Sequence, residues 1–512
     1  MAKSWDLRVG GMNLVGGSTA DEGPANELPE TPFRILIMAD FSGKGTKLPL
    51  SQRKPIRIDR DNFEEVLAKL APSVRVPLGT STPEPATISF RELEDFEPDR
   101  LFKQLKVFAA LGDLRRRLHN PAQFADAAAE IKGWAAASRI AEPEAPAPAP
   151  ISTENLMEHI LGVSESSAAP REASSFVDNI LGTEWDRFIK QIVAPHLVSR
   201  TDPRLGDFAA VVDEAIGAQM RTILHHADFQ ALESVWRGLF LLVRRLDSDG
   251  QLQLSILDVS QEELAADIAN VEDLAKTASF RHLVPEPRTG GTTPWALIVG
   301  QYTFGSAIDD INTLANIAMI ASAARAPFLA AAHCQLLGCS TFWNNTEPRE
   351  WQPDADLQSA WNQLRNMPEA KYLGLILPRF LLRLPYGKDA QPVEQFTFEE
   401  MPPEPPHQSY LWGNAAIAAA LLLGESFTQS GWSLRPGQSL QVDSLPIHIH
   451  LDDGDRVQKP CAEVLLHNRA VERIVDTGLM ALVSVQNRDA AMLARFQSVA
   501  ASMQPLAGRW KA

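Results

Sequence analysis

Apolar positions recur along this chain with two different periods. Phe33-Arg-Ile-Leu-Ile-Met-Ala39 is a short, nearly continuous apolar run closed by Asp40-Phe-Ser-Gly43, which predicts a buried strand and a turn. Phe63, Val66, Leu67 and Leu70 then fall at helical spacing, with Asp61 and Glu64 at capping-box separation and Pro72 closing the element. Ala86 to Phe90 alternates as a strand does. Pro98 suits the first turn of a helix that places Leu101, Phe102, Leu105 and Phe108 on one face and ends in Arg115-Arg-Arg117 before Asn120-Pro121.

The periodicity stops at Glu142-Pro-Glu-Ala-Pro-Ala-Pro-Ala-Pro150. Proline lacks an amide donor and fixes φ, so this run predicts a semi-rigid spacer between separately folded units. Beyond it, Asp228 is placed to cap a helix whose Phe229, Leu232, Trp236, Leu239, Phe240 and Val243 form one stripe, read as core packing rather than a cofactor pocket. Strands are predicted at Leu252 to Leu257, Trp295 to Val299, Tyr372 to Leu377 and Pro446 to Leu451. Helices fall between them, notably over Ile311 to Ala324 and Asn414 to Leu423. The alternation predicts an α/β fold: two α/β units joined by the Pro/Ala-rich linker, with boundaries at 1–140, 141–175 and 176–512.

Composition narrows the classes. With 512 residues, 45% hydrophobic and 22% charged, the chain is an ordinary globular sequence long enough for about two to four domains. A net charge of −16 argues against a nucleic-acid binder, and Arg115 to Arg117 is read as a solvated helix end. Three cysteines imply no disulfide framework, and Met1 to Asp6 shows no apolar signal core. The apolar region Leu314 to Leu337 is broken by Arg325, Pro327 and His333, which predicts a buried helix, a turn and further buried structure, not a membrane span. A cytoplasmic location is the expectation.

Candidate chemistry is sparse. Gly43-Lys-Gly45 departs from a phosphate loop at two places: Met38 stands where its first glycine belongs, and Gly45 replaces the magnesium-binding Ser or Thr. His448, His450 and Asp452 alternate on one strand face, a spacing that suits zinc. Asp452 to Asp455 reads as a turn, however, and no further ligand is fixed by the pattern. A metal-dependent hydrolase using those three residues is kept as the competing class. Cys334 and Cys339 lie in apolar context without an activating base, so neither is read as a nucleophile. No cofactor, metal or catalytic set is expected.

The motifs carry a resemblance. Met38-Ala-Asp-Phe-Ser-Gly43, Arg53-Lys-Pro-Ile-Arg-Ile-Asp59-Arg-Asp-Asn-Phe63 and Leu93-Glu-Asp-Phe96-Glu-Pro-Asp-Arg100 together resemble the small subunit of the type VI secretion contractile sheath, over roughly Phe33 to Leu118. His225-His-Ala-Asp-Phe229-Gln-Ala-Leu-Glu-Ser-Val-Trp236 and Pro294-Trp-Ala-Leu-Ile-Val-Gly300 resemble its large subunit. So does Tyr372-Leu-Gly-Leu-Ile-Leu-Pro378-Arg-Phe-Leu-Leu-Arg383-Leu-Pro-Tyr-Gly387, continued by Pro392-Val-Glu-Gln-Phe396 and Tyr410-Leu-Trp412-Gly-Asn-Ala415. That likeness runs from about Phe176 to Val499. It implies a natural fusion of small and large subunits lacking the large subunit's last domain, about a fifth of that subunit.

The resemblance implies a structural, mechanical role without an active site: protomers stack helically around an inner tube of hexamers and contract to propel it. The expected partners are other sheath subunits, tied by strand exchange, with the tube protein and baseplate proteins. A AAA+ recycling unfoldase is a further candidate, gripping a helix near the large subunit's start. Leu156, Ile160 and Leu161, or Phe176, Ile180 and Leu181, are its candidate anchors, with packing on the protein's own surface as the alternative. Arg379 and Arg383 flank an apolar run and are candidates for ion pairs between subunits, or equally for solvated or intrachain roles. A non-polymerising paralogue acting as cap, baseplate adaptor or regulator is the alternative within the family.

Overall fold

The computed structural model describes residues 31–43, 48–78, 85–131, 205–248, 250–269, 271–284, 293–452 and 455–510, together with 189, 192 and 193. The Ala-Pro run, the segments carrying Leu156, Ile160 and Leu161 and Phe176, Ile180 and Leu181, and Lys44-Gly45 of the phosphate-loop candidate lie outside them.

The first unit supplies β1 (Phe33–Ala39), β2 (Ile56–Ile58), α1 (Phe63–Leu70), a hairpin of β3 (Ser73–Val76) and β4 (Ala86–Ser89), α2 (Pro98–Gln104) and α3 (Lys106–His119). Two local expectations are corrected. The cap residue of α1 is Asn62, not Asp61, because the Asp59 carboxylate fixes the preceding turn by accepting the Asp61 and Asn62 N–H groups. Glu64, freed from a capping box, accepts the Leu93 N–H instead. The helix predicted from Pro98 breaks at Leu105, which is extended (φ −95°, ψ 129°). Phe102 and Phe108 would stand about 120° apart around a continuous axis. Across the break their rings stack at 5.5 Å.

The second unit runs through α4 (Leu205–Leu224), α5 (Ala227–Arg245), β5 (Leu252–Asp258), α6 (Gln261–Ile268), α7 (Ala278–Leu283), β6 (Leu297–Phe304), α8 (Ile308–Ala324), β7 (Phe328–Ala332), α9 (Ala355–Arg365) and β8 (Leu373–Leu377). There follow a short pair β9 (Phe380–Leu381) and β10 (Trp412–Gly413), α10 (Ala415–Ser430), β11 (Gln441–Val442), β12 (His448–Asp452), β13 (Asp455–Lys459), α11 (Asn468–Asp476), β14 (Met480–Ser484) and β15 (Ala491–Leu493). The residue at the start of α5 is His226, and Asp228, expected to cap it, lies inside the first turn. The apolar stretch from Leu314 resolves as expected into α8, a left-handed Arg325 (φ 51°) and a fully buried strand, β7. No described helix is long and apolar enough to cross a membrane.

Nine strands form one sheet in the order β11-β15-β14-β8-β7-β6-β1-β5-β2. Its middle, β14 to β5, is parallel, and antiparallel strands close both edges. The first unit therefore places β1 inside the second unit's sheet, between β6 and β5, and lays β2 on the outer edge of β5. The linker divides the sequence but does not divide the sheet. Alternate residues of β1 serve two cores: Phe33, Ile35 and Ile37 face α1, α3, α4, α5 and α10, while Leu36 and Met38 face α6, α8, α9 and α11. Ala415 to Gly424 of α10 is buried throughout, because the helix is held between the sheet and α5.

Candidate functional site: the seam between the units

The turn after β1 is wired into the second unit. Phe41 and Ser42 donate their N–H groups to Asp258 Oδ1 at the end of β5, at 2.8 and 3.2 Å. Arg53 donates to the Asp258 carbonyl at 2.8 Å and forks onto Glu263, at 2.8 and 2.5 Å. That bond raises the Arg53 guanidinium and lowers the Glu263 carboxyl from their ordinary ranges. Trp236 of α5 donates its indole N–H to the Phe41 carbonyl at 3.0 Å. Gly43 has φ +67°, and a Cβ there would meet the Ser73 carbonyl oxygen at 2.4 Å, so the turn requires glycine.

Rings fill the rest of the seam. Phe90 and Phe96 stack at 3.9 Å and each meets Phe229 edge-on, while Trp236 stands edge-on to Phe41 and Phe63. The α5 stripe is therefore core packing, and much of what it packs against is the first unit. Farther out, Arg115 pairs with Asp213 at 2.6 Å, Asp99 accepts the Glu394 and Gln395 N–H groups, and Phe102 stacks on Phe396 at 5.2 Å.

Beneath α5 lies a buried ion network. Arg383, 5% exposed, bonds Glu233 Oε1 through Nε at 2.8 Å and both Glu400 oxygens through Nη1 and Nη2, at 2.8 and 3.0 Å. Arg237 adds a 2.7 Å bond to Glu233 and a 3.1 Å bond to the Tyr386 hydroxyl. Burial works to raise the Glu400 carboxyl, but Arg383, His225 and the Tyr386 N–H outweigh it and hold the group at about 2. Arg379 is half exposed and binds Glu463 with its N–H, Nε and Nη2, as close as 2.5 Å. Glu463 is likewise held at about 2, against its burial, by His407 and Arg379. The two arginines singled out from the sequence thus both have intrachain partners. A readable signal for one partner was Glu233, an acid inside the apolar stripe of α5 and one turn before Arg237.

The other candidate residues are structural in their contacts. His448 Nδ1 is 2.8 Å from the Tyr410 hydroxyl, and the His448 and His450 rings stack at 5.7 Å. Among the described residues no group of three or more His, Cys, Asp and Glu is placed to hold a metal. Cys334 and Cys339 are buried, and burial pushes the Cys334 thiol up to about 12, away from thiolate chemistry. A cavity of about 430 Å³ opens at the carboxyl ends of β6 and β8, bordered by His333, Trp343, Arg379, His407 and Glu463.

Residues 207–500 match the family described as EvpB/VC_A0108, tail sheath N-terminal domain (VipB). Residues 19–133 match the one described as Type VI secretion system, VipA, VC_A0107 or Hcp2. A curated relative, the type VI secretion system sheath protein TssC1 of Pseudomonas aeruginosa, is 34% identical over 300 residues, which is 57% of this chain and 60% of that protein. The chain thus spans about three-fifths of that relative's length. Placed on the fold, the boundary between the two matches is the seam itself: the chain belongs to the VipB tail sheath family and carries, in the same polypeptide, a VipA-type region that supplies a strand to its sheet.

Proposed function

We propose that this chain is a structural component of a type VI secretion contractile sheath, a fused small and large protomer that assembles around an inner tube and propels it by contracting. The observation that supports this reading is β1 paired on both sides by strands of the tail sheath region, so one chain supplies strands of both family regions to a single sheet. Its role is mechanical rather than catalytic, and its place of work is the cytoplasm. Other sheath subunits are the first partners, through a repeated head-to-tail contact that does not close on itself. The tube hexamer and baseplate proteins come next, and an unfoldase gripping the segment of Leu156, Ile160 and Leu161 or of Phe176, Ile180 and Leu181 would recycle the contracted form.

Negative-stain imaging of the purified chain, alone and with the tube protein, tests the proposal. Tubes or stacked rings support it. Discrete particles that co-purify with baseplate proteins would move the protein to the cap, adaptor or regulator reading. Metal analysis of His448→Ala and His450→Ala separates off the hydrolase alternative, which requires bound metal in the parent protein and its loss in both variants.

A further inference from the structure

The β12–β13 hairpin is a two-stranded sheet of its own, and two strands alone are marginal in water. In the antiparallel register His448 lies opposite Lys459 and His450 opposite Val457, so both histidines and the lysine share one face. On the other face Ile449 is 59% exposed. The hairpin is held at two points: His448 Nδ1 lies 2.8 Å from the Tyr410 hydroxyl, and Lys459 Nζ lies over the rings of Tyr410 (5.2 Å) and Trp412 (5.7 Å) and 3.0 Å from His407 Nδ1.

An ammonium has only donors, so Nδ1 must be the unprotonated, accepting nitrogen of His407. The ring hydrogen then sits on Nε2 and is donated to Glu463 Oε1 at 2.9 Å. Trp343 and Trp412 both stack on the imidazole, at 6.0 and 5.0 Å, and restrict its direction. A second proton has one place to go, Nδ1, where the new N–H would point at the Lys459 ammonium. The bond to Glu463 survives that change and the bond to Lys459 does not.

We propose that His407 is a pH-sensitive latch: neutral, it holds Lys459 and with it the β12–β13 hairpin; protonated at Nδ1, it releases the hairpin from the Tyr410–Trp412 face. The charged surroundings favour the neutral ring at rest. Burial, then Lys459 and Arg379, lower the His407 pKa below 6.5, against the pull of Glu463. Glu463 already accepts three donors from Arg379. Lys459 itself faces His407, Glu463 and, across the register, His448; His448 in turn faces Tyr410, His450 and, at longer range, Glu400 and Lys459. Asp455 and Arg456, at the turn end of the hairpin, are exposed. The sign follows: the latched form is intact above about pH 6.5 and weakens as pH falls through the histidine range.

Hydrogen exchange of the full chain at pH 7.5 and 5.5, corrected for intrinsic exchange rates, tests the latch with β5 as internal reference. Peptides covering β13 lose protection by about tenfold at the lower pH while β5 does not, one pKa unit of coupling being a factor of ten. In a His448→Gln, His450→Gln background, which removes the other titrating contact on that face, Lys459→Met and His407→Asn show equal β13 protection at the two pH values. Unchanged β13 protection in the parent chain, or an undiminished acid loss in Lys459→Met, overturns the proposal. If His407→Asn lowers β5 protection as well, the Lys459→Met result decides.

Discussion

β1 and β12 are both short strands, yet they stand in opposite circumstances. β1 has a parallel neighbour on each side and a hydrophobic core against each face, and Phe33 and Ile35 to Ala39 are all 1% exposed or less. β12 has one neighbour, an exposed isoleucine and a polar face on which His448 meets the Tyr410 ring edge-on. The strand from the other side of the linker is thus the more deeply integrated of the two. Depth here is set by how many partners a strand meets, not by its distance along the chain or the family region it comes from.

The largest test of that contrast is a charge in β1. Ile37→Asp would bury a carboxylate in the core on one face of the sheet and is expected to cost about 5 kcal/mol or more, unfolding both regions together. Soluble yield and circular dichroism of the whole chain check it; loss confined to the first unit's helices would break the contrast. Next is Arg383→Met, which takes the arginine from buried Glu400 and leaves Glu233 with Arg237 alone, at a cost of about 3–5 kcal/mol, read as a lower urea midpoint. Adding Glu400→Gln to that variant should recover part of the loss.

Acid acts on the same network. Glu400 and Glu463 titrate at about 2 in the folded chain, below their ordinary 4.5. Their stabilisation is therefore full above about pH 4.5 and lost as pH falls towards 2, on the order of 3 kcal/mol for the deeply buried Glu400. Melting temperature against pH checks this, and Glu400→Gln should flatten the acid limb. Smallest of all is Ile449→Thr in β12, expected to leave the unfolding midpoint within about 0.5 kcal/mol of the parent.

Much of the fold was legible in the sequence because apolar runs declare buried strands: β1, β5, β6 and β8 are visible that way, and β12 shows instead by its alternation of polar and apolar residues. β7 was recovered only as further buried structure, since Phe328-Leu-Ala-Ala-Ala332 is rich in a residue that favours helices. β2 and β11, at three and two residues, are too short to show a period. Strand order was not legible at all, because side-chain periodicity reports which face is buried and not which strand lies alongside. The spacer pointed to separately folded units; insertion of a strand of one inside the other's sheet left no mark on the sequence. Within the second unit, Arg379 and Arg383 stood out in sequence, but Glu463 and Glu400 are 84 and 17 residues away from them and join them only through the fold.

The position of β1 also sets an order of events on the ribosome. Phe33 pairs with Leu252, about 220 residues later in synthesis. At roughly 5–20 residues per second, the nascent strand waits some 10 to 45 s before its first neighbour emerges, and longer for β6. During that interval a segment apolar at every position but Arg34 has no sheet to enter. Because strand and neighbours belong to one nascent chain, that wait ends by elongation rather than by the chance arrival of a second gene product.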